Sequence, residues 1–294
     1  MNSNLLNMAL QLSMQDIFSS SWFSSALMNK AWTDMMRSSV NGLIRNTGGP
    51  DLLGVALGGR LRGDAAMLRQ ASSNVSEAQS MMRMAAEGVG NIAGQLKEAC
   101  KLADDFLTAT QGMVNPTDPS YIALHDTFQA QYKAISSNID SIIKNTMYNG
   151  IALLDGSAWG GDGRLSVIGN AASVHIQAGD RGFPLTFNNM IPEFFDIFTE
   201  HSLLITEPGP DAGLPRQEAL AELSSLQSSA QTLADMYSGR AGSLQSQAAS
   251  LQSQAKILEE AAAQRARTPT PVSTENILLN LILRDSGGLF SGKG

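Results

Sequence analysis

The chain has 294 residues, with 27 Asp plus Glu against 20 Lys plus Arg, and its formal net charge of −7 argues against broad binding to a phosphate backbone, which needs Lys and Arg to displace counterions. Only 16% of residues are charged and 6% aromatic, while Ala, Leu and Met are plentiful, a mix that suits thin helix–helix seams better than a thick globular core. A single cysteine, Cys100, excludes an intramolecular disulfide and a Cys-only metal site.

Residues 1–41 read as one or two amphipathic helices, with Asp16 the only charge in positions 1–29. Leu5, Leu6, Ala9, Leu12, Ile17, Phe18, Trp22, Phe23, Ala26 and Leu27 give a wide apolar face. So broad a face with so few charges is poorly solvated when free. It either packs on its own domain or awaits a partner. No basic residue precedes the apolar positions, so an ordinary cleaved secretory signal is not expected. No apolar run reaches the length that a bilayer span requires, so no membrane span is expected.

Residues 42–54 interrupt this pattern with Gly48, Gly49 and Pro50, and Asp51 is placed to cap the next helix. That helix is expected from about Leu53 to Thr110. Leu61, Leu68, Val75, Met82, Val89, Leu96 and Ala103 recur every seven residues along it. Three positions after each come Asp64, Ala71, Ala78, Ala85, Ile92, Ala99 and Phe106. Such spacing keeps a narrow apolar stripe on one face of a helix. Gly58, Gly59 and Gly63 weaken its start. Gly88, Gly90 and Gly94 in its middle mark a close backbone approach, a bend or a break, and periodicity does not choose among them.

Asn115 to Pro119 form a loop in which Thr117 or Asp118 can cap and Pro119 suits a first helical turn. The second helix is expected to run to about Thr146, with Tyr121, Leu124, Phe128, Tyr132, Ile135, Ile139, Ile142 and Ile143 on one side; Tyr148, Asn149 and Gly150 end it. Residues 151–190 switch to strand chemistry. Leu165 and Val167 alternate with polar residues, Val174, Ile176 and Ala178 alternate with His175 and Gln177, and Phe183, Leu185 and Phe187 alternate beyond a turn at Gly179–Gly182. A short helix over Phe194, Phe195, Ile197 and Phe198 and a Pro-rich connection come next.

A last long helix is expected over Arg216–Arg267. Leu223, Ala230, Tyr237, Leu244, Leu251 and Leu258 repeat every seven residues, and Gln227, Ala234, Ala241, Ala248, Ala255 and Ala262 come four positions after each. Each stripe needs another helix to cover it. Two long stripes far apart in sequence are therefore expected to cover each other. Pro269 and Pro271 end this helix, a short apolar stretch runs from Ile277 to Leu283, and the chain finishes in Ser286–Gly294.

The pattern predicts a mainly α protein: an elongated antiparallel helical bundle or coiled-coil rod, built from both ends of the chain, with a small β-hairpin region. Its segments are 1–41 (terminal assembly helices), 42–157 (the N-terminal half of the rod), 158–215 (hairpin and connection), 216–268 (the C-terminal rod helix) and 269–294 (short helix and tail). The expected rod seam is Leu61, Leu68, Val75, Met82, Val89, Leu96, Leu223, Tyr237, Leu244, Leu251 and Leu258.

Chemistry is sparse. His125, His175 and His201 are scattered, with no metal-ligand spacing. Asp104–Asp105 and Glu259–Glu260 are sequence neighbours on helices and diverge in direction. The glycines at 48–49 and 58–63 lack the Lys and Ser/Thr of a phosphate loop. Cys100, one residue past the stripe position Ala99, reads as a small flanking residue. No enzyme, cofactor or metal is expected.

Several stretches resemble the terminal regions of bacterial flagellins. The likeness begins loosely at Ser24–Leu27. It firms at Leu43–Asn46, Asp51–Arg60, Gln70–Ser72, Asn74 and Ala86–Gly88. It is closest over Asn145–Gly156, NTMYNGIALLDG, against the family's TxFNGxxLLDG. Val174–Gly179 resembles the family's IQVGA hairpin, and Ser238–Leu258 its C-terminal helix. The resemblance implies a rod made from the first and last thirds of the chain. It also implies termini that pack between subunits, and export as an unfolded chain through the flagellar type III pathway. The implied location is the extracellular bacterial flagellum. The implied partners are copies of the chain or other flagellins, the export apparatus and an export chaperone, with no nucleic acid. Assembly is expected through Leu5, Leu6, Leu12, Ile17, Phe18, Trp22, Phe23 and Leu27, with Ile277, Leu278, Leu281 and Ile282 opposite. The sequence departs from the family in lacking a large central insertion, in Pro269 and Pro271, and in a glycine-rich tail. Three functions therefore stay open: a filament subunit, a low-copy hook–filament junction or accessory protein, and a secreted coiled-coil derivative that does not polymerise.

Overall fold

A computed structural model of the chain describes residues 52–113, 115, 117–179, 181–191 and 213–267. These are mainly helical, with a small amount of antiparallel sheet. Helix α1 spans Leu52–Ala109, α2 Pro119–Asn145 and α3 Gly213–Arg267. Between α2 and α3 lie strands β1 (Met147–Tyr148) and β2 (Ile151–Ala152), a 3-10 turn at Gly156–Gly161, and strands β3 (Leu165–Ile168), β4 (Ala171–Ala178) and β5 (Arg181–Asn188). β1 and β2 pair antiparallel, and the three-stranded sheet runs in the order β3-β4-β5.

The residues gather into two compact units. One holds Ala78–His175 and the described part of 184–242; the other holds, among described residues, 52–77, 176–183 and 243–267. The sequence segments 42–157, 158–215 and 216–268 therefore each contribute to both units.

In the first unit α1, α2 and α3 pack together. Phe106 of α1 meets Tyr121 and Phe128 at the start of α2, with ring centroids 6.2 and 4.7 Å apart. Further back along α1, Gln95 accepts from Asn138 Nδ2 at 3.1 Å. Rising numbers on α1 thus match falling numbers on α2, so the two are antiparallel. α3 joins them through Arg216, whose Nη2 donates to Tyr121 Oη at 3.4 Å, and through Ala234, whose Cβ would lie 4.0 Å from a Cβ on Gly90. In the second unit Ser72 Oγ donates to the Ala248 carbonyl at 2.8 Å and Arg69 pairs with Glu259. There too α1 and α3 run in opposite directions.

Local chemistry sets the element boundaries. Asp118 caps α2 by accepting from Ser120 N at 2.8 Å, and Pro119 occupies the first turn, where its missing N–H is not needed. The helix stops one residue short of the sequence expectation. Thr146 turns its hydroxyl back onto the Ile142 carbonyl at 2.6 Å and leaves helical geometry. Tyr148–Gly150 do not merely terminate this helix: Asn149 and Gly150, with φ of 48° and 77°, are the whole loop between β1 and β2. The β4–β5 turn is likewise tighter than Gly179–Gly182. Arg181 and Gly182 already belong to β5, and Gly179 supplies the positive φ of 75°. Gly58, Gly59, Gly63, Gly88, Gly90 and Gly94 leave α1 unbroken from Leu52 to Ala109.

Candidate functional site

Among the described residues the dominant feature is the pair of long apolar stripes, and a candidate site is best built from what lies on them. On α1, Leu61, Leu68, Val75, Met82, Val89, Leu96 and Ala103 are all buried, and so are Ala71, Ala78, Ala85, Ile92, Ala99 and Phe106. On α3, Leu223, Ala230, Tyr237, Leu244, Leu251 and Leu258 are buried together with Ala234, Ala241, Ala248, Ala255 and Ala262. The two polar members of the stripes, Asp64 and Gln227, are half-buried. Each fully buried Leu, Val or Met contributes about 1.5–3 kcal/mol relative to exposure. The alternating alanines let the helix backbones come close, which is how so few aromatic residues still fill these seams.

Gly88 shows the closest approach. A Cβ there would stand 2.6 Å from Thr146 Oγ1, 2.9 Å from Thr146 Cγ2 and 3.0 Å from Leu154 Cδ1. The first unit therefore seats the β1–β2 hairpin directly on the α1 backbone. Gly94, one and a half turns on, has open space at its Cβ position.

The larger hairpin is pinned within each unit. In the first, the Asn188 backbone N–H donates to Tyr237 Oη at 2.9 Å, and Arg240 Nη2 donates to the Pro184 carbonyl at 3.0 Å. These two groups share one parity on β5, so α3 side chains take up hydrogen-bonding capacity along a single edge of that strand. In the second unit, Asn74 Nδ2 donates to the Gln177 carbonyl at 2.7 Å. Ala172, Val174, Ile176, Ala178, Leu185 and Phe187 face inward, while His175 and Gln177 are exposed. β3 departs from the alternation expected of Leu165 and Val167: Val167 is 47% and Ile168 76% exposed. Adjacent residues on a strand point to opposite faces, so β3 leaves both faces open at its end.

A junction at Asn189 was not legible in the sequence. Its Oδ1 accepts from Gly156 N at 3.0 Å and Ile191 N at 3.2 Å, its own N–H donates to the Asn170 carbonyl at 2.8 Å, and the next residue, Met190, donates to the Leu154 carbonyl at 3.0 Å. One asparagine thus ties three loops. Trp159 is buried, with Nε1 donating to the Ala152 carbonyl at 2.9 Å. Neither residue sits in a periodic run, and periodicity was the only strong local signal.

The titratable groups are dispersed. Burial pushes the Cys100 thiol up, so it is a poorer thiolate than an exposed cysteine. Burial also raises the Tyr132 phenol, with the nearby Cys100 adding to the effect. His125 is half-buried and stacks on Tyr121 with centroids 6.3 Å apart, and its Nδ1 lies 3.3 Å from Asp126 Oδ1. Among the described residues Asp162 is the most displaced carboxylate: hydrogen bonds from the Arg164 side chain and backbone hold it to about 2. Among the described residues no group of three His, Cys, Asp or Glu side chains is placed to hold a metal ion, and no helix is long and apolar enough to cross a membrane.

The positions expected to mediate assembly, Leu5, Leu6, Leu12, Ile17, Phe18, Trp22, Phe23, Leu27, Ile277, Leu278, Leu281 and Ile282, lie outside the described residues. So do Asp51, His201 and the segment around Phe194–Phe198. No protein-family model and no curated protein matches the chain.

Proposed function

We propose that the chain is a flagellin-like structural subunit of a bacterial flagellar filament. It is exported unfolded by the flagellar type III pathway and joined to copies of itself or to other flagellins through its terminal helices. The observation that carries this reading is the antiparallel meeting of α1 and α3, two helices more than a hundred residues apart, along stripes of matching heptad spacing. The antiparallel pairing brings the early part of α1 and the late part of α3, which segments 1–51 and 268–294 flank in sequence, together within one unit. The ordered resemblance to flagellins over residues 43–46, 51–60, 145–156, 174–179 and 238–258 also supports the reading. The elongated rod and the absence of a catalytic role are parts of the same proposal.

Pro269 and Pro271 favour a second reading, a secreted coiled-coil derivative that does not polymerise, because proline cannot continue α3 as a helix beyond Arg267. A low-copy junction or accessory protein is the third. Seeding decides among them. Purified full-length chain added to sheared filament fragments elongates them under the first reading and caps or fails to extend them under the other two. Quantitative mass spectrometry of native filaments then gives many copies for a major subunit, a few for a junction protein and none for a non-polymerising one.

A further inference from the structure

The β1–β2 loop consists of Asn149 and Gly150 alone, since Tyr148 pairs with Ile151, and both residues have positive φ, as in a type I′ turn. Both are exposed, and this is the one Asn–Gly step between residues 52 and 267. Gly150 has no Cβ to screen its amide nitrogen from the Asn149 side chain. Arg164 adds a second element. Its Nη1 donates to the Asn149 carbonyl oxygen at 3.0 Å, and Asp162 holds the guanidinium in place by accepting from Nε at 2.8 Å and from Nη2 at 2.6 Å. A cation bonded to a peptide oxygen stabilises the deprotonated peptide, in which negative charge moves onto that oxygen. The peptide nitrogen on the other side of this carbonyl is that of Gly150.

We propose that Asn149 is a site of spontaneous deamidation, with Arg164 as the positioning residue that activates the Gly150 amide. Gly150 N gives its proton to hydroxide and attacks Asn149 Cγ. The new N–Cγ bond forms, the Cγ–Nδ2 bond breaks, and Nδ2 takes a proton from water and leaves as ammonia. The product is a five-membered succinimide. Water then opens the ring at one of its two carbonyl carbons. Opening at the backbone carbonyl leaves the chain running through the side chain as isoaspartate, and opening at Cγ gives ordinary aspartate. Nothing is oxidised or reduced. Either product puts a new carboxylate beside Arg164. Aspartate fits a type I′ turn. Isoaspartate adds a main-chain methylene to a two-residue loop and unpairs Tyr148 from Ile151. Ring closure requires the Tyr148–Ile151 pair to part while Arg164 keeps its bond to the Asn149 carbonyl, a local event for strands of two residues each, so the folded chain reacts more slowly than an unfolded one. The proposal is independent of the assembly reading and stands or falls without filaments.

The test incubates full-length protein at mildly alkaline pH and digests it after Lys and Arg, releasing peptide 145–164, in which Asn145 is an internal comparator (145–181 in the Arg164→Ala variant). The expected result is the mass gain of one dalton for exchange of NH2 by OH at Asn149 and not at Asn145. The product should split into two forms, one co-eluting with the peptide from Asn149→Asp, at a rate that rises with pH. Arg164→Ala should slow conversion several-fold in the folded chain and leave it unchanged in urea. Full conversion in urea with none in the folded protein overturns the site, and an equal or faster folded rate in Arg164→Ala overturns the role of the arginine.

Discussion

A helical glycine is decided by what surrounds it, and α1 offers a matched pair. At Gly88 a methyl group would collide with the buried Thr146 and with Leu154. The helix gains about 1 kcal/mol from alanine's better propensity, but overpacking of this kind costs about 1–3 kcal/mol. Gly88→Ala is therefore expected to lower the urea midpoint, whereas Gly94→Ala, with open space, should raise stability by about 0.5–1 kcal/mol. Equal effects of the two substitutions in chemical denaturation would remove the close approach. Only the first of the readings left open for these glycines, close contact, holds at Gly88. Spacing could not select it, because the partner Thr146 lies on another element. The Asp162–Arg164 pair gives a second test. Its carboxyl is held below the ordinary carboxylate value, so its contribution is complete above that value and fades as pH falls from there through about 2. A carbon-detected NMR titration of Asp162 should track that window, and a midpoint at the ordinary value would mean that the hydrogen bonds are absent.

The long helices are the elements whose burial was most legible in the sequence. Every one of the eleven seam positions is buried, since a stripe seven residues apart stays on one helical face and that face has one way to leave water. Leu244→Asp or Leu251→Asp puts an unpaired charge into that stripe in place of about 1.5–3 kcal/mol of burial. Each is expected to cost roughly several kcal/mol and to lower the far-UV melting temperature markedly. An unchanged melt in either variant would mean that the stripe is not covered there. The strands were less legible. Alternation identified the inward faces of β4 and β5, but not the exposure of β3, because alternation assigns residues to two faces without saying whether either is covered. Nor could it identify the Tyr237 hydroxyl as acceptor for Asn188, since heptad spacing marks Tyr237 only as apolar. Tyr237→Phe keeps the ring and strands that N–H, at a cost of about 1–3 kcal/mol. Hydrogen exchange should show the Asn188 amide losing protection ahead of the Leu244 region; an unchanged rate would show that the hydroxyl is dispensable.

At the scale of the whole molecule, the proposed assembly assigns burial within the chain and association between chains to different segments. The described residues bury the stripes of α1 and α3 within the chain. Residues 1–29, by contrast, carry ten apolar-face positions and the single charge of Asp16, a composition that gains most from association. If these tasks are separate, removing residues 1–41 should leave helicity and melting temperature nearly unchanged while abolishing addition to seeds. The measurement is paired: circular dichroism melts of the full and shortened chains, and electron microscopy of each after mixing with sheared filaments. Intact melting with lost elongation supports assembly through the N-terminal segment. A shortened chain that melts early would show that this segment packs on its own body, the plainer reading of its apolar face. A shortened chain that melts normally and still elongates would refute the terminal-helix mechanism, and self-association would then have to use surfaces of the folded units. The most exposed large apolar side chain among the described residues, Ile168 on β3, is where substitution by lysine should be tried in that event.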